Sequence, residues 1–365
     1  MAVLRRVRLQ NVRNHDSLAL ELGPGVNALV GPNGVGKTSV LEAVHVALRG
    51  SSPRTRSLRE VIRRGEQVLR VEVDIDYGDR VVSAATGYDR SGERRMTRDG
   101  APLDDYTRWE AEVPVRVFLP DHLLLVKGGP RRRRRYADGL ALAAKPGYRE
   151  IQAEYEEALR QRNYLLRRGA GAAEQAAWES VLAERGLELN RLRAEVLQAF
   201  SPRFAAGFAL LAPSEAAEAR LVYRTNAAGL TAEEYRERLA EERPDDRNRG
   251  YTRLGPHRDD VRLFLGDRDL REFGSQGEQR TALLALLIGE RRWLWEEAGR
   301  WPLLLLDDVM SELDHERRRA LFSALEEGGQ TLISTTTTDY FTSAELATMT
   351  VIRIGPGPGR PTTEQ

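Results

Sequence analysis

Eight consecutive residues near the N-terminus have the types and spacing of a phosphate-binding loop. Residues 31–38 read GPNGVGKT and fit the pattern G-x-x-x-x-G-K-[ST] at every fixed position. Glycines let backbone N–H groups turn toward phosphate oxygens, and the start of the following helix adds partial positive charge. We expect Lys37 to reach the β- and γ-phosphates of ATP and the Thr38 hydroxyl to bind Mg²⁺. The predicted nucleotide contacts here are Gly31, Pro32, Asn33, Gly34, Val35, Gly36, Lys37, Thr38 and Ser39.

Two adjacent acids close a run of four leucines far along the chain. Leu303–Leu306 is followed directly by Asp307 and Asp308, as the second motif of nucleotide-hydrolysing proteins requires. We expect Asp307 to hold Mg²⁺ through water and Asp308 to orient or polarise the attacking water. Acids at the end of a strand also serve as helix caps. The upstream phosphate loop favours the chemical interpretation.

A third motif opens a long apolar helix. Ser275 and Glu278 have the spacing of a capping box, so an ordinary helix cap explains them. A serine and a glycine at a helix N-terminus also form an anion site that could hold a γ-phosphate, and this alternative makes Ser275, Gly277 and Glu278 candidate nucleotide contacts. The sequence leaves both interpretations open.

Arginines form the remaining group of candidates. Arg13 and Asn14 lie in a polar turn before the loop, and Arg54 follows the loop's helix; each could contact nucleotide, although a solvated turn explains the first two equally well. Five adjacent arginines carry the densest positive charge, and on a helix they cannot all serve one face. A solvated basic helix start and phosphate contact both explain this run. The DNA candidates are Arg131, Arg132, Arg133, Arg134 and Arg135.

Apolar spacing predicts the elements that position these residues. Val26–Val30 is an apolar run suited to a buried strand, and helical spacing follows the loop, so the motif has its required strand and helix. Residues 69–76 alternate as a half-buried strand and introduce an antiparallel β-layer. From Tyr148 to Phe200 the period is helical and is broken at residues 169–172, which predicts two antiparallel helices.

Composition limits the possible classes. The chain has 365 residues, no cysteine and a formal net charge of +1, so disulfides and thiolate metal sites are excluded and any DNA-binding surface must be local. No apolar run approaches the roughly 18 residues of a membrane span. We expect a cytoplasmic protein with no membrane partner.

Together these motifs, in this order, resemble an ABC-type ATPase head. The most similar family is RecF, the bacterial recombination mediators, whose pattern is echoed by residues 11–14, 255–260 and 306–314. The resemblance implies an α/β fold, a mixed sheet plus an antiparallel β-layer, with an inserted helical lobe. The expected division is 1–125 for the N-terminal part of the ATPase domain, 126–245 for the lobe, and 246–365 for the C-terminal part.

The resemblance also implies a mechanism. Two heads would enclose two ATP molecules, with Lys37, Thr38 and Asp307 acting on one nucleotide and Ser275 acting on the partner's. Asp308 stands where most ABC ATPases have Glu, and Thr335 lies near the position where transporters carry a switch histidine; these departures suggest slow ATP hydrolysis. The family implies that DNA stimulates it. The family implies a nucleoid-associated protein that binds single-strand/double-strand DNA junctions or gaps and duplex, and helps RecO and RecR load RecA.

Other classes fit less well. A head from another SMC/Rad50-like DNA-maintenance complex is the main alternative. A metabolic P-loop kinase has no use for the helix start at Ser275. A transporter ATPase is disfavoured by the roughly 235 residues that separate the phosphate loop from the Ser275 motif.

Overall fold

The computed structural model describes residues 2–213, 219–355 and 362–364. Its strands, in chain order, are β1 (Val3–Val12), β2 (His15–Glu21), β3 (Val26–Val30), β4 (Val68–Asp76), β5 (Val81–Asp89), β6 (Arg94–Arg98), β7 (Ala101–Pro102), β8 (Val115–Phe118), β9 (Ala219–Arg224), β10 (Asp260–Leu265), β11 (Arg268–Asp269), β12 (Leu303–Asp307), β13 (Thr331–Thr335), β14 (Thr350–Arg353) and β15 (Thr362–Glu364). Its α-helices are α1 (Lys37–Arg49), α2 (Tyr106–Glu112), α3 (Leu124–Lys127), α4 (Pro130–Ala144), α5 (Tyr148–Arg168), α6 (Ala172–Leu211), α7 (Ala232–Glu241), α8 (Arg243–Arg249), α9 (Leu270–Phe273), α10 (Gln276–Ala298), α11 (His315–Glu326) and α12 (Ser343–Thr348).

Residues 1–121 and 299–365 form one compact unit with two sheets. One sheet is antiparallel with strand order β2-β1-β4-β5-β6-β7; the other has the order β15-β14-β3-β13-β12-β8. In the second sheet β8, β12, β13, β3 and β14 run parallel, and β15 is antiparallel to β14. The expected α/β fold with an antiparallel β-layer is confirmed.

Burial explains why these segments adopt their structures. Every residue of β3, β12 and β13 is buried, as in parallel strands that are covered on both faces. The alternating strand predicted at residues 69–76 is confirmed as β4, whose burial follows a period of two. Helix α1 packs against β1, β4 and β5 and also against β12 and β13, so most of its residues are buried.

Residues 122–298 form the second compact unit, which is mainly helical. Helices α5 and α6 pack on each other, and the break predicted between them is confirmed: α5 ends at Gly169 in a left-handed conformation (φ 73°). Helix α6 is longer than expected and continues through Pro202 to Leu211. A three-stranded antiparallel sheet, β11-β10-β9, completes the unit.

The helix after Ser275 belongs to this second unit. Helix α10 packs on α6 at two glycines that leave no room for side chains. A β-carbon on Gly207 would lie 2.7 Å from the carbonyl oxygen of Ala285, and one on Gly289 would lie 3.1 Å from that of Arg203. Because α10 packs here, the chain divides by packing after Asp121 and after Ala298, which differs from the expected borders of the helical lobe.

Candidate functional site

The phosphate loop connects β3 to the N-terminus of α1. Gly34 (φ 82°) and Gly36 (φ 104°) have left-handed backbone conformations, which glycine adopts without steric cost. Gly36 is also crowded, because a β-carbon there would lie 2.2 Å from Nε2 of His15 and 2.6 Å from Oδ1 of Asn14. Only glycine therefore fits at position 36, and the spacing of the motif has a physical cause in this chain.

The turn between β1 and β2 supports the loop. Nδ2 of Asn14 donates a hydrogen bond to the carbonyl oxygen of Gly34 (3.2 Å), and Nε2 of His15 lies 3.1 Å from that of Gly36. Asn14 thus lies beside the loop, and its direct contact with nucleotide stays a prediction. His15 belongs to the polar turn that the sequence predicts, but it was not identified as a candidate residue.

Lys37 is held by the loop that precedes it. Its Nζ donates hydrogen bonds to the carbonyl oxygens of Gly31 (2.7 Å) and Pro32 (2.9 Å). Burial lowers the pKa of the Lys37 ammonium from its usual value, while the nearby carboxylates of Asp308 and Asp307 act in the opposite direction. The charges of both acids of the second motif therefore act on the Lys37 ammonium.

Asp307 meets the end of the phosphate loop. Its Oδ1 accepts hydrogen bonds from Oγ1 of Thr38 (2.8 Å) and from Oγ of Ser334 (2.6 Å). The parallel pairing of β12 with β13 sets Asp307 directly beside Ser334. Sequence reasoning missed Ser334; the signal available was a polar residue near the end of an apolar strand.

Asp308 has an unusual backbone and an unsatisfied side chain. Its φ of 49° is left-handed, a region that Asp and Asn tolerate better than most residues. The backbone N–H donates to the carbonyl oxygen (3.2 Å) and to Oγ (3.0 Å) of Ser334. Oδ1 of Asp308 is buried and has no hydrogen-bond partner within the described chain. A buried carboxylate oxygen without a partner is the feature expected of a group that binds water or ligand.

These oxygens fit a magnesium ion. Thr38 and Asp307 provide a hydroxyl and a carboxylate at hydrogen-bond distance from each other. Within the described residues no cluster of three or more His, Cys, Asp or Glu could hold a metal alone. Mg²⁺ is usually bound by one or two carboxylates together with substrate phosphates and water, so this donor set suits it.

Arg13 and Arg54 converge on a buried acid of α1. Arg13 binds both carboxylate oxygens of Glu42 at 2.8 Å and donates to the carbonyl oxygen of Glu60, and Arg54 lies 3.3 Å from Glu42. Burial raises the pKa of Glu42, but hydrogen bonds from Arg13 and Ser52 outweigh it, and the pKa lies below its usual value. Each nitrogen of the Arg13 guanidinium donates one hydrogen bond, and its contact with nucleotide stays a prediction.

Ser275 and Glu278 form the capping box that their spacing predicts. Oγ of Ser275 accepts from the N–H of Glu278 (3.1 Å), and the Glu278 carboxylate accepts from the N–H of Ser275 (2.7 Å). Arg268 also donates to Glu278 at 2.6 Å, which engages that side chain within its own unit. Ser275 and Gly277 are exposed, so both remain accessible to an anion, and their contact with nucleotide stays a prediction.

The five arginines of α4, each a DNA candidate, have different environments, as expected of a run that cannot all serve one face. Arg133 is only 2% exposed; it binds Asp260 through Nε (2.7 Å) and Nη2 (3.0 Å) and donates to the carbonyl oxygen of Gly128. It is therefore a structural residue, unavailable to DNA. Arg134 is partly buried and donates to the carbonyl oxygen of Asp259, whereas Arg131, Arg132 and Arg135 are exposed.

A family model and curated relatives match most of the chain. Residues 3–354 match the RecF/RecN/SMC N-terminal domain. The chain is 35% identical to the DNA replication and repair protein RecF of Heliobacterium modesticaldum, over 97% of this chain and 98% of that protein. It is 40% identical to the RecF of an Anaeromyxobacter species, over 88% and 89% of the two chains.

Solved structures give a consistent result. The recombination mediator protein RecF-ATP of the RecFOR pathway is 27% identical, with a TM-score of 0.85 over all of this chain and 98% of that one. The SMC head bound to the C-winged helix domain of ScpA is 16% identical with a TM-score of 0.60, covers 99% of this chain and 97% of that one, and shares the fold. No helix in the described ranges is long and apolar enough to cross a membrane.

Proposed function

The chain belongs to the RecF family of DNA replication and repair proteins, which are ATP-binding proteins of the ABC-type ATPase group, and we propose that it is an ATP-dependent DNA-binding protein of recombinational repair. ATP drives dimerisation, the dimer binds DNA at single-strand/double-strand junctions or gaps, and the bound protein helps RecR and RecO load RecA. It acts in the cytoplasm, on the nucleoid, and turns ATP over slowly with stimulation by DNA.

The observation that carries the proposal is the meeting of two distant motifs. Thr38 and Asp307 lie at hydrogen-bond distance, and Lys37 is close enough to both acids for their charges to affect its pKa. The loop glycines hold the chain in the conformation that turns backbone N–H groups toward phosphates. A metabolic kinase would share these features, but the RecF of Heliobacterium modesticaldum matches 97% of the chain.

Each residue of the nucleotide site has its own role in ATP hydrolysis. Lys37 and the loop amides hold the β- and γ-phosphates, and Thr38 and Asp307 would hold Mg²⁺, which neutralises charge on the phosphate oxygens. The partner-free oxygen of Asp308 accepts a hydrogen bond from the attacking water and orients it toward the γ-phosphorus. The products are ADP and phosphate. Ser275 of one subunit contacts the γ-phosphate held by the other.

Sedimentation velocity tests the proposal. The protein would be measured with ATP, with ADP and without nucleotide, each with and without a duplex that carries a single-stranded overhang. We expect dimers only with ATP, and DNA co-sedimenting only under that condition. Lys37→Met is the control because it removes the phosphate-binding ammonium and should stay monomeric throughout. DNA binding of equal strength in all nucleotide states would contradict ATP dependence.

A further inference from the structure

A turn in the second unit is held by hydrogen bonds with three side chains, of which that of Arg193 is buried. Residues 255–259 form this turn. Nη1 of Arg193 donates to the carbonyl oxygen of Pro256 (2.8 Å), Nη1 of Arg134 donates to that of Asp259 (2.7 Å), and the N–H of Gly255 donates to Oδ1 of Asn226 (3.0 Å). The turn therefore has little freedom to move relative to α4 and α6, which carry the two arginines.

The histidine of the turn is fixed as firmly as its backbone. Nδ1 of His257 accepts from the hydroxyl of Tyr155 (2.6 Å), and Nε2 donates to the carbonyl oxygen of Thr252 (2.9 Å). The turn requires glycine at position 255 (φ 130°), because a β-carbon there would lie 2.4 Å from the hydroxyl oxygens of both Tyr155 and Tyr235. None of these groups takes part in the nucleotide site described above.

The one exposed side chain within this rigid turn is Arg258. Its guanidinium carbon lies 5.5 Å from the centre of the Tyr251 ring, an arrangement that holds the cation in position. In the part of the chain that the structure describes, no carboxylate pairs with Arg258. The turn thus presents a preorganised guanidinium to solvent.

Helix α4 adds further cations beside the turn. Arg133 faces the interior, and Arg134, at the edge, reaches the turn at Asp259. Arg131 and Arg135 are one helical turn apart and neighbour Arg134, so they share the outward face next to it. Both are exposed, and within the described residues neither has an ion-pair partner. Burial and the like charges of Arg193 and Arg258 lower the pKa of Arg134, while the carboxylates of Asp259 and Asp260 act in the opposite direction.

We infer that Arg131, Arg134, Arg135 and Arg258, the arginine patch, form a contact surface for the phosphate backbone of DNA. This inference rests on the proposed DNA binding and gives it a location. Guanidinium groups bind phosphate through two parallel hydrogen bonds, and a series of cations without carboxylate partners matches the repeated charge of a nucleic acid. An interface with a protein normally includes an apolar centre, which four arginines do not provide.

The test is the salt dependence of DNA affinity in the full-length protein with ATP. Variants Arg131→Gln, Arg135→Gln and Arg258→Gln would be measured singly and together against a duplex with a single-stranded overhang. Each lost phosphate contact should flatten the slope of log affinity against log salt by about 0.9, so the triple variant should lose roughly 2 to 3 units of slope. Arg258→Lys keeps the charge and should keep most of the slope.

Arg95→Gln is the matched control because Arg95 is exposed on β6 of the other unit and has no ion-pair partner among the described residues. It makes the same change of charge and should leave the slope as in the wild type. Equal thermal melting temperatures would show that the variants are folded.

Two outcomes would overturn the inference separately from the function. If the wild type binds DNA with ATP and the triple variant has the same slope, DNA lies elsewhere and an acidic protein becomes the candidate occupant of the patch. An equal loss in Arg95→Gln would reduce the effect to overall charge and would also overturn the inference. If the wild type itself does not bind DNA, the proposed function is wrong, and the inference about the arginine patch is wrong with it.

Discussion

Oγ1 of Thr38 lies 2.8 Å from Oδ1 of Asp307 and donates a hydrogen bond to it, although 269 positions separate the two residues in the chain. The contact joins the first turn of α1 to the last residue of β12, and the parallel sheet brings these two ends together. Because both residues are expected to bind Mg²⁺, the contact predicts that the gain in ATP affinity on adding Mg²⁺ depends on Thr38.

Thr38→Val should abolish the Mg²⁺-dependent part of ATP binding. Valine has nearly the same shape but cannot bind a metal, so affinity measured in EDTA should change little while the gain on adding Mg²⁺ is lost. Titration with a fluorescent ATP analogue, with and without Mg²⁺, measures both. Thr337→Val is a control substitution in the same unit. If Thr38→Val keeps the full magnesium effect, Thr38 is not a ligand.

Asp308→Asn should bind ATP and fail to hydrolyse it. Asparagine tolerates the left-handed backbone at this position (φ 49°), so the fold of the turn should be preserved. Loss of a group that orients water in this way typically reduces turnover by about 10² to 10⁴. Phosphate release under single-turnover conditions measures it, and near wild-type turnover would rule out this role for Asp308.

Two substitutions at Ser275 distinguish a helix cap from a contact with the nucleotide of the other subunit. Loss of the cap alone in Ser275→Ala should cost about 1 kcal/mol of stability, whereas Ser275→Arg should abolish ATP-induced dimers while each monomer still binds ATP. Thr231→Ala is a matched control, because Thr231 and Glu234 form the same capping box on α7. It should lose similar stability and still dimerise.

Sedimentation of Ser275→Arg at saturating ATP is decisive for the shared site. A normal dimer would contradict it. Mixing Ser275→Arg with Lys37→Met should restore some association, because a mixed dimer contains one complete pair of Lys37 and Ser275.

His257 should make stability depend on pH. Burial, with smaller contributions from Arg258 and Arg134, lowers its pKa from 6.5 to about 4 in the folded protein. Between these two pKa values the unfolded chain binds a proton that the folded chain does not. The free energy of unfolding is therefore highest above pH 6.5, where His257 is neutral in both states, and decreases as the pH falls toward 4. The slope from this group approaches about 1.4 kcal/mol per pH unit within that window.

Chemical denaturation between pH 4.5 and 7.5 measures that slope. His257→Gln should have a shallower dependence than the wild type, since no imidazole remains to be protonated. His315→Gln, at the exposed start of α11, should match the wild type. Parallel curves for the wild type and His257→Gln would show that His257 is protonated equally in both states.

Motifs formed by neighbouring residues were predictable from the sequence, and so was the meeting of Thr38 with Asp307, because each belongs to such a motif. Partnerships of residues outside the motifs were not predictable. The loop, its glycines and the capping box at Ser275 depend on local spacing, which the chain displays directly. The pairing of Arg13 with Glu42 depends on how β1 lies against α1, and the sequence does not encode that distance in any short pattern. An acid among the apolar positions of α1 was the one available signal.

The run of five arginines shows the same limit more sharply. Helical geometry predicts that the run cannot serve a single face, but it does not say which residue points inward. Arg133 points inward because it binds Asp260, a residue of strand β10 that lies more than a hundred positions further along the chain. The order of exposure along α4 therefore follows from tertiary packing.

The two glycine contacts between α6 and α10 have a mechanical consequence. At Gly207 and Gly289 the backbones of the two helices come close together, so these two points leave little room for a displacement. Close-packed interiors transmit strain. A displacement of α6, which has forty residues, is therefore expected to move α10 as well, and with it Ser275 directly before the first turn of α10.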